Sequence, residues 1–329
     1  MKRRQFIAAL GGMAVVDWPL RSWAEPLAGN FRVGYLGAGT ASNLPDALDA
    51  FRDELHQRGY VEGKNLAIEY RWADDRDDRL AGLASDLVRS NVGVIVIEGH
   101  TPAIEAAKQA TSTIPIVMAV SGDPVASGLV DSLARPGGNI TGFALLTPEL
   151  APKRLEVLKE FVPALARVAV LWNAANPVKV LDWRATQSAA ESLGLKLQSL
   201  PVQGADDFEK MFDLANRDRA DALVVFPDGL INNHLNEIVD FALRCRFPTM
   251  CPSPEFVAAG GLLSYGPSYT HLFRRAADYV DKILRGTRPA DLPVQQPTQF
   301  ELVINMKTAK TLGVTISPTM LLRADKVIE

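Results

Sequence analysis

The chain is 329 residues long, more than one domain usually needs and enough for two of about 150 residues each. Hydrophobic residues make up 47% and charged residues 22%, a globular balance that excludes a disordered or fibrous chain. Lys plus Arg number 35 against 38 Asp plus Glu, a formal charge of −3, so there is no basic excess to neutralise a phosphate backbone and no nucleic acid is expected as a partner.

The N-terminus reads as an export address. Met1-Lys2-Arg3-Arg4 is a positive segment, Phe6 to Val16 is apolar and small, and Ser22-Trp23-Ala24 is a small-x-small end before Glu25-Pro26. Arg3-Arg4 followed by Gln5-Phe6-Ile7 is similar to a twin-arginine signal, without the preceding Ser or Thr, so the general secretory route stays open beside it. The apolar core falls short of the roughly 20 residues a membrane span needs. Residues 1–24 are therefore expected to be a cleaved signal peptide and the mature protein to be periplasmic.

Past this segment, short apolar runs alternate with helical patterns. Arg32–Leu36 reads as a buried strand, followed by a helix from Leu44 to Arg58 that Gly59 closes. Strands are predicted at Leu66–Tyr70, Val92–Ile97 and Ile114–Val120, with helices at Arg79–Arg89 and Ala103–Ala110 between them. Val/Ile-rich runs separated by helices of 10–15 residues imply a parallel sheet covered on both faces.

The order then restarts. Val168–Trp172, Lys196–Val202 and Ala222–Phe226 read as strands, with helices at Val178–Leu193 and Phe208–Asn216. Each half places an Asp pair, Asp77-Asp78 or Asp206-Asp207, just before a helix, so the chain looks like two doubly wound lobes of similar build. The tail holds a strand at Leu262–Tyr265, a long amphipathic helix at Tyr269–Leu284, an extended Pro289–Pro297 segment, a strand at Phe300–Ile304 and a helix at Lys307–Leu312. These pieces read as the chain crossing back between lobes. The expected division is residues 30–145 plus 268–297 for one lobe and 146–267 plus 298–329 for the other.

Ligands of open α/β sheets bind beyond the carboxyl ends of the strands. Thr101-Pro102, Asp123-Pro124, Thr147-Pro148, Asn176-Pro177 and Ser253-Pro254 each join a helix-capping residue to a proline suited to a first turn. Such helix starts favour a carboxylate through unpaired N–H groups and the helix dipole, although plain capping explains any single pair. Glu98, Asp123, Asp228 and Glu255 are the acids on this rim that suit a ligand ammonium, and Thr40, Ser42, Ser121, Asn173 and Tyr265 are its hydrogen-bonding groups. His100, alone in its segment, reads as a wall rather than a catalyst.

Signatures of catalysis are missing: there is no Walker A loop, H-E-x-x-H or G-x-S-x-G. Gly37-Ala38-Gly39-Thr40-Ala41-Ser42 approaches a dinucleotide fingerprint but carries Ser at the third glycine, and a glycine-rich first turn serves any crevice ligand. His56, His100, His234 and His271 have no metal-ligand spacing with Cys245 and Cys251, so neither metal nor cofactor is expected. In an oxidising compartment the two cysteines either pair or stay as partly buried thiols.

Ile114–Phe143 (IPIVMAVSGDPVASGLVDSLARPGGNITGF), Glu149–Asn176 and Phe300–Glu329 together resemble a family of ABC-transporter substrate-binding proteins of the type 1 periplasmic-binding fold, some of which bind tryptophan or tyrosine. The resemblance implies two lobes joined by three crossovers that close on a small molecule and deliver it to an inner-membrane permease driven by a separate ATPase. It further implies a monomer with no catalytic role. The matching crevice positions are Gly39, Thr40, Gly99, His100, Thr101, Ser121, Gly122, Asp123, Thr147, Asn173, Asn176, Asp228, Glu255 and Tyr265. The expected ligand is a small carboxylate-bearing solute, an amino acid or an aromatic or branched acid. A periplasmic sensor feeding a signalling receptor and a two-lobed sugar-nucleotide enzyme are the competing readings.

Overall fold

The computed structural model describes residues 29–42, 44–145 and 150–329. The expected signal segment and the Thr147-Pro148 pair lie outside the described residues.

The first half runs β1 (Phe31–Gly37), α1 (Pro45–Gln57), β2 (Leu66–Trp72), α2 (Leu80–Arg89), β3 (Val94–Ile97), α3 (Thr101–Ala110), β4 (Ile116–Ser121) and β5 (Ile140–Ala144). Its five strands pair in parallel in the order β2-β1-β3-β4-β5. Strands β3, β4 and β5 are buried at every position, which is why they read as unbroken apolar runs rather than as an alternation. One apolar cluster lies on each face of this sheet, around Phe51 and Phe273 on one side and Leu87 and Ile104 on the other.

The second half runs α4 (Leu150–Phe161), β6 (Arg167–Asn173), α5 (Pro177–Ser192), β7 (Lys196–Val202), α6 (Phe208–Arg217), β8 (Ala222–Val225), α7 (Gly229–Asn233), α8 (Leu235–Arg244), β9 (Thr249–Cys251), α9 (Pro254–Ala258) and β10 (Leu263–Pro267). The chain continues through α10 (Tyr269–Leu284), β11 (Phe300–Asn305), α11 (Met306–Leu312), α12 (Pro318–Arg323) and β12 (Lys326–Ile328). The seven strands of this half pair in the order β12-β11-β10-β9-β8-β6-β7. Both predicted Asp pairs fall in single 3₁₀ turns, directly before α2 and α6.

Pairing is parallel throughout except between β10 and β11. The reason lies in the crossing. Strand β10 runs out of the second sheet, α10 packs on the first half, and the chain comes back into β11 from the side it left. Helix α10 buries Leu272, Phe273, Ala276, Val280 and Ile283 in the first half's core. Arg58 pairs with Asp278 at 3.0 Å and with Asp281 at 3.3 Å, and the Tyr60 hydroxyl donates to Asp281 at 2.8 Å. The returning segment lies beside β5, where Ala144 N–H donates to the Gln295 carbonyl and Gln295 N–H to that of Gly142, both at 2.9 Å. Where the two crossing strands meet, Ser268 N–H donates to the Gln299 carbonyl at 3.0 Å.

Several elements carry too little pattern to be predicted. Strands β9 and β12 are three residues each, and α7, α9 and α12 are five or six. Strand β5 carries Gly142 at φ 137°, where a Cβ would collide with the backbone of Met118 on β4. The pattern reading also passes over the amphipathic helices α4 and α8. Cys245 and Cys251 are free thiols, and burial pushes that of Cys251 up to about 12.

Candidate ligand-binding site

A cleft of about 710 Å³ opens between the two halves, within the usual range for small-molecule sites. From the first half it is lined by Ala38 and Gly39 after β1, Asp75 and Asp77 after β2, Glu98, Gly99 and His100 after β3, and Val120 near the end of β4. The opposite wall comes from Gly229 to Leu235 around α7 and from Ser253, Glu255 and Phe256 at the start of α9. Tyr269 closes it from the crossing. Its place follows from the capping of α10, where the Ser268 hydroxyl oxygen accepts from His271 N–H at 3.2 Å.

Unusual backbone shapes the first wall. Asp74 and Asp75 both have positive φ, 55° and 59°, a conformation that aspartate tolerates better than most residues. Their N–H groups donate to the carbonyls of Gly39 and Ala38 at 3.1 and 2.9 Å, which ties the β2 turn to the β1 turn. His100 also has positive φ, 72°, and its Nε2 lies 2.9 Å from Asp77 Oδ1.

Glu98 is 8% exposed, and its Oε2 has no hydrogen-bond partner. Burial, and then the nearby Asp75, lift its carboxyl to about 7. The Tyr35 hydroxyl behind it is also buried without a partner, and burial with Glu98 beside it pushes its pKa upward. The Tyr35 ring packs on Trp72 at 5.3 Å and Tyr70 at 5.7 Å. Gly37 makes the arrangement possible, because a Cβ there would overlap the Trp72 ring and come within 2.5 Å of Glu98 Oε2. Tyr269 is pushed up to about 12 by burial and then by Glu255, with Glu98 acting in the same sense and Arg154 opposing. Arg154 is buried behind it, beside a void of about 30 Å³ with room for a water, and its Nε donates to the Tyr265 carbonyl at 2.7 Å.

Of the expected residues, Gly39, Gly99, His100 and Glu255 line the cleft. Asn173, Asn176 and Asp228 come together, but on one another. Asp228 accepts from Asn173 Nδ2 at 2.8 Å, from Asn176 Nδ2 at 2.9 Å and from Leu230 N–H at 3.0 Å, so its carboxylate caps α7 and already holds three hydrogen bonds. Asn176 caps α5 as expected, accepting from Val178 N–H at 3.0 Å.

Other expectations need correction. Thr101 is the first residue of α3 rather than its cap, a position that His100 holds. No helix follows Asp123, whose Oδ1 accepts from Val125 and Ala126 N–H in a turn of its own, and the neighbouring Gly122 is exposed. Ser253 stands at the cap position of α9 without a side-chain bond. Ser121 is turned inward, donating to the Phe143 carbonyl at 2.8 Å. Thr40 meets Ser42 at 3.0 Å, on the turn beyond the lining residues. Tyr265, half-buried, stacks on Phe300 beside the second half's core. The glycine-rich turn does not open directly into a helix, since α1 starts at Pro45 with Leu44 as its cap, so the dinucleotide geometry is absent. Thr147 lies outside the described residues.

The main omission is Tyr269, legible in sequence only as the first residue of a long helix. Asp75 and Asp77 were legible only as acids in a turn, and Gly229 to Leu235 hold too few residues for a period to show.

Residues 42–328 match the family described as ABC transporter substrate binding protein. A tyrosine-binding protein of Clostridioides difficile strain R20291 is 26% identical over 270 residues, 82% of this chain and 77% of the relative. The solved structure of an ABC domain in complex with L-Trp from Streptococcus pneumoniae superposes with a TM-score of 0.80 at 25% identity, covering 91% of this chain and 100% of that one. A conserved domain protein from Vibrio cholerae O1 biovar El Tor gives 0.79 at 28% identity over 91% of this chain and 99% of that one. The fold is that of the type 1 periplasmic binding proteins, and with the family match spanning nearly all of the described residues, the chain belongs to the ABC transporter substrate-binding proteins.

Proposed function

We propose that this chain is the extracytoplasmic receptor of an ABC import system and that it binds a small amino acid, aromatic by preference, between its two lobes. The observation that carries the reading is the cleft of about 710 Å³ with walls from both sheets, in a chain whose relatives include a tyrosine-binding protein and a structure holding L-Trp. Leu44, Val120, Leu230, Leu235 and Phe256 offer apolar surface to a side chain. The N-terminal end of α3 beside Gly99 favours a carboxylate through its dipole. The lobes comprise residues 30–145 plus 268–297 and residues 146–267 plus 298–329. This division is supported by the packing of α10 on the first half and by the pairing of β11 and β12 in the second sheet. Export on residues 1–24 places the mature monomer in the periplasm, where it hands its ligand to a permease and its ATPase. Closure is a hinge motion about the crossings that ligand binding stabilises.

A thermal-shift screen of the mature chain against the common amino acids tests the reading, because a ligand bound only by the folded state raises the melting temperature. Small-angle scattering with the best ligand at saturation should show a smaller radius of gyration. An unchanged radius with binding confirmed by calorimetry would refute the hinge. No shift with any amino acid, alongside a shift with a neutral sugar, would refute the ligand class.

A further inference from the structure

We propose that Glu98 is the cation-recognition group of the cleft, taking a ligand ammonium on the first wall while Glu255 faces it from the second, so that the solute must carry an amine. This rests on the reading of the chain as a solute receptor and deepens it.

The charge of the lining points the same way. Among the described residues its charged groups are Asp75, Asp77, Glu98 and Glu255, with His100 already on Asp77 and no Lys or Arg. A carboxylate without an amine would meet this field unfavourably, whereas an amine would enter along it. Glu98 differs from the other three in being buried. A buried carboxylate oxygen without a hydrogen bond is costly to keep, and an arriving ammonium would satisfy it. The left-handed Asp74-Asp75 turn places a second acid beside it, and Gly37 leaves the space in which Oε2 sits. Glu98, Glu255 and Tyr269 line the same cleft, the two acids from opposite walls. Where Glu98 is ionised and no cation lies between them, the two carboxylates oppose closure, and a bound ammonium removes that opposition.

Binding is then linked to pH. The groups facing Glu98 are Asp75 after β2, Tyr35 on β1 and Tyr269 on α10, and Arg52 of α1 reaches the same cluster through the Tyr70 hydroxyl at 2.8 Å. The Glu98 carboxyl holds its proton below about 7 in the empty protein, so an ammonium that needs the carboxylate binds more tightly as pH rises and levels off above that value.

The test uses titration calorimetry on the mature chain with three probes: L-tryptophan, tryptamine, which keeps the amine alone, and indole-3-propionate, which keeps the carboxylate alone. The expected result is that the amines bind and indole-3-propionate does not, with affinity for the amines rising about tenfold from pH 6 to pH 8. Glu98→Gln should weaken the amines about 30-fold or more at pH 8 and flatten the profile. Glu255→Gln, at an exposed position, should weaken them by a smaller factor and keep the slope. A His100→Gln variant that abolished the slope would assign it to the histidine and overturn the proposal. So would a Glu98→Gln protein that binds the amines as the parent does, or a parent that binds indole-3-propionate as tightly as tryptophan. These last results would leave the receptor reading intact, whereas binding of none of the probes and of no amino acid would overturn both.

Discussion

Replacing Glu98 with glutamine should stabilise the ligand-free protein, and only at neutral to alkaline pH. Folding lifts this carboxyl from its ordinary 4.5 to about 7, chiefly by burial. The folded chain therefore keeps a proton that the unfolded chain gives up between those values. Stability from the group is fully present below about 4.5, falls as pH rises through the window, and is gone above about 7. A carboxyl moved that far costs about 3 kcal/mol at pH 8. Glutamine keeps the shape and is neutral at every pH, so Glu98→Gln should match the parent near pH 4.5 and exceed it by up to about 3 kcal/mol at pH 8. Urea titrations of parent and variant at the two pH values measure this, and taking the difference cancels the acids common to both. A variant equally shifted at both pH values, or less stable than the parent at pH 8, would refute the picture of an unsatisfied buried carboxyl. Loss of ligand affinity together with a gain in stability is what a site built for binding predicts.

Gly142→Ala should destabilise the first half by about 3 kcal/mol or more, since the new methyl meets the Met118 amide nitrogen within 2.6 Å at φ 137°; an unchanged urea midpoint would show that β4 and β5 can part cheaply. Asp228→Ala removes the α7 cap and strands the Asn173 and Asn176 amides, so it should cost about 1–3 kcal/mol of stability and weaken tryptophan and tryptamine only slightly and alike. Unchanged stability with a loss of tryptophan and tryptamine binding as steep as that of Glu98→Gln, read by calorimetry, would return Asp228 to the role of an ammonium partner.

The Val/Ile runs of β3, β4 and β8, the Gly-closed helices and the paired Asp turns were legible in the sequence because each depends on residues close in the chain. Burial on both faces of a parallel sheet leaves an unbroken apolar run, and a helix end leaves its capping residue, whatever surrounds them. By the same logic Asn176-Pro177 announced the start of α5. The site depended on what meets across the chain. Sequence presents Glu98, Asp123, Asp228 and Glu255 as four equivalent rim acids. The fold gives Asp228 to two asparagines and a helix start, gives Asp123 to its own turn, exposes Glu255 on one wall, and buries Glu98 without a partner on the other. Tyr265 and Tyr269 stand four residues apart, yet one stacks on Phe300 beside the second half's core and the other closes the cleft, because β10 ends between them and the chain crosses to the other half. Local periodicity determines which elements form and which faces they bury. Which acid keeps an unanswered charge is set by contacts between residues as distant as Gly37, Trp72 and Glu98, and only the tertiary structure decides those.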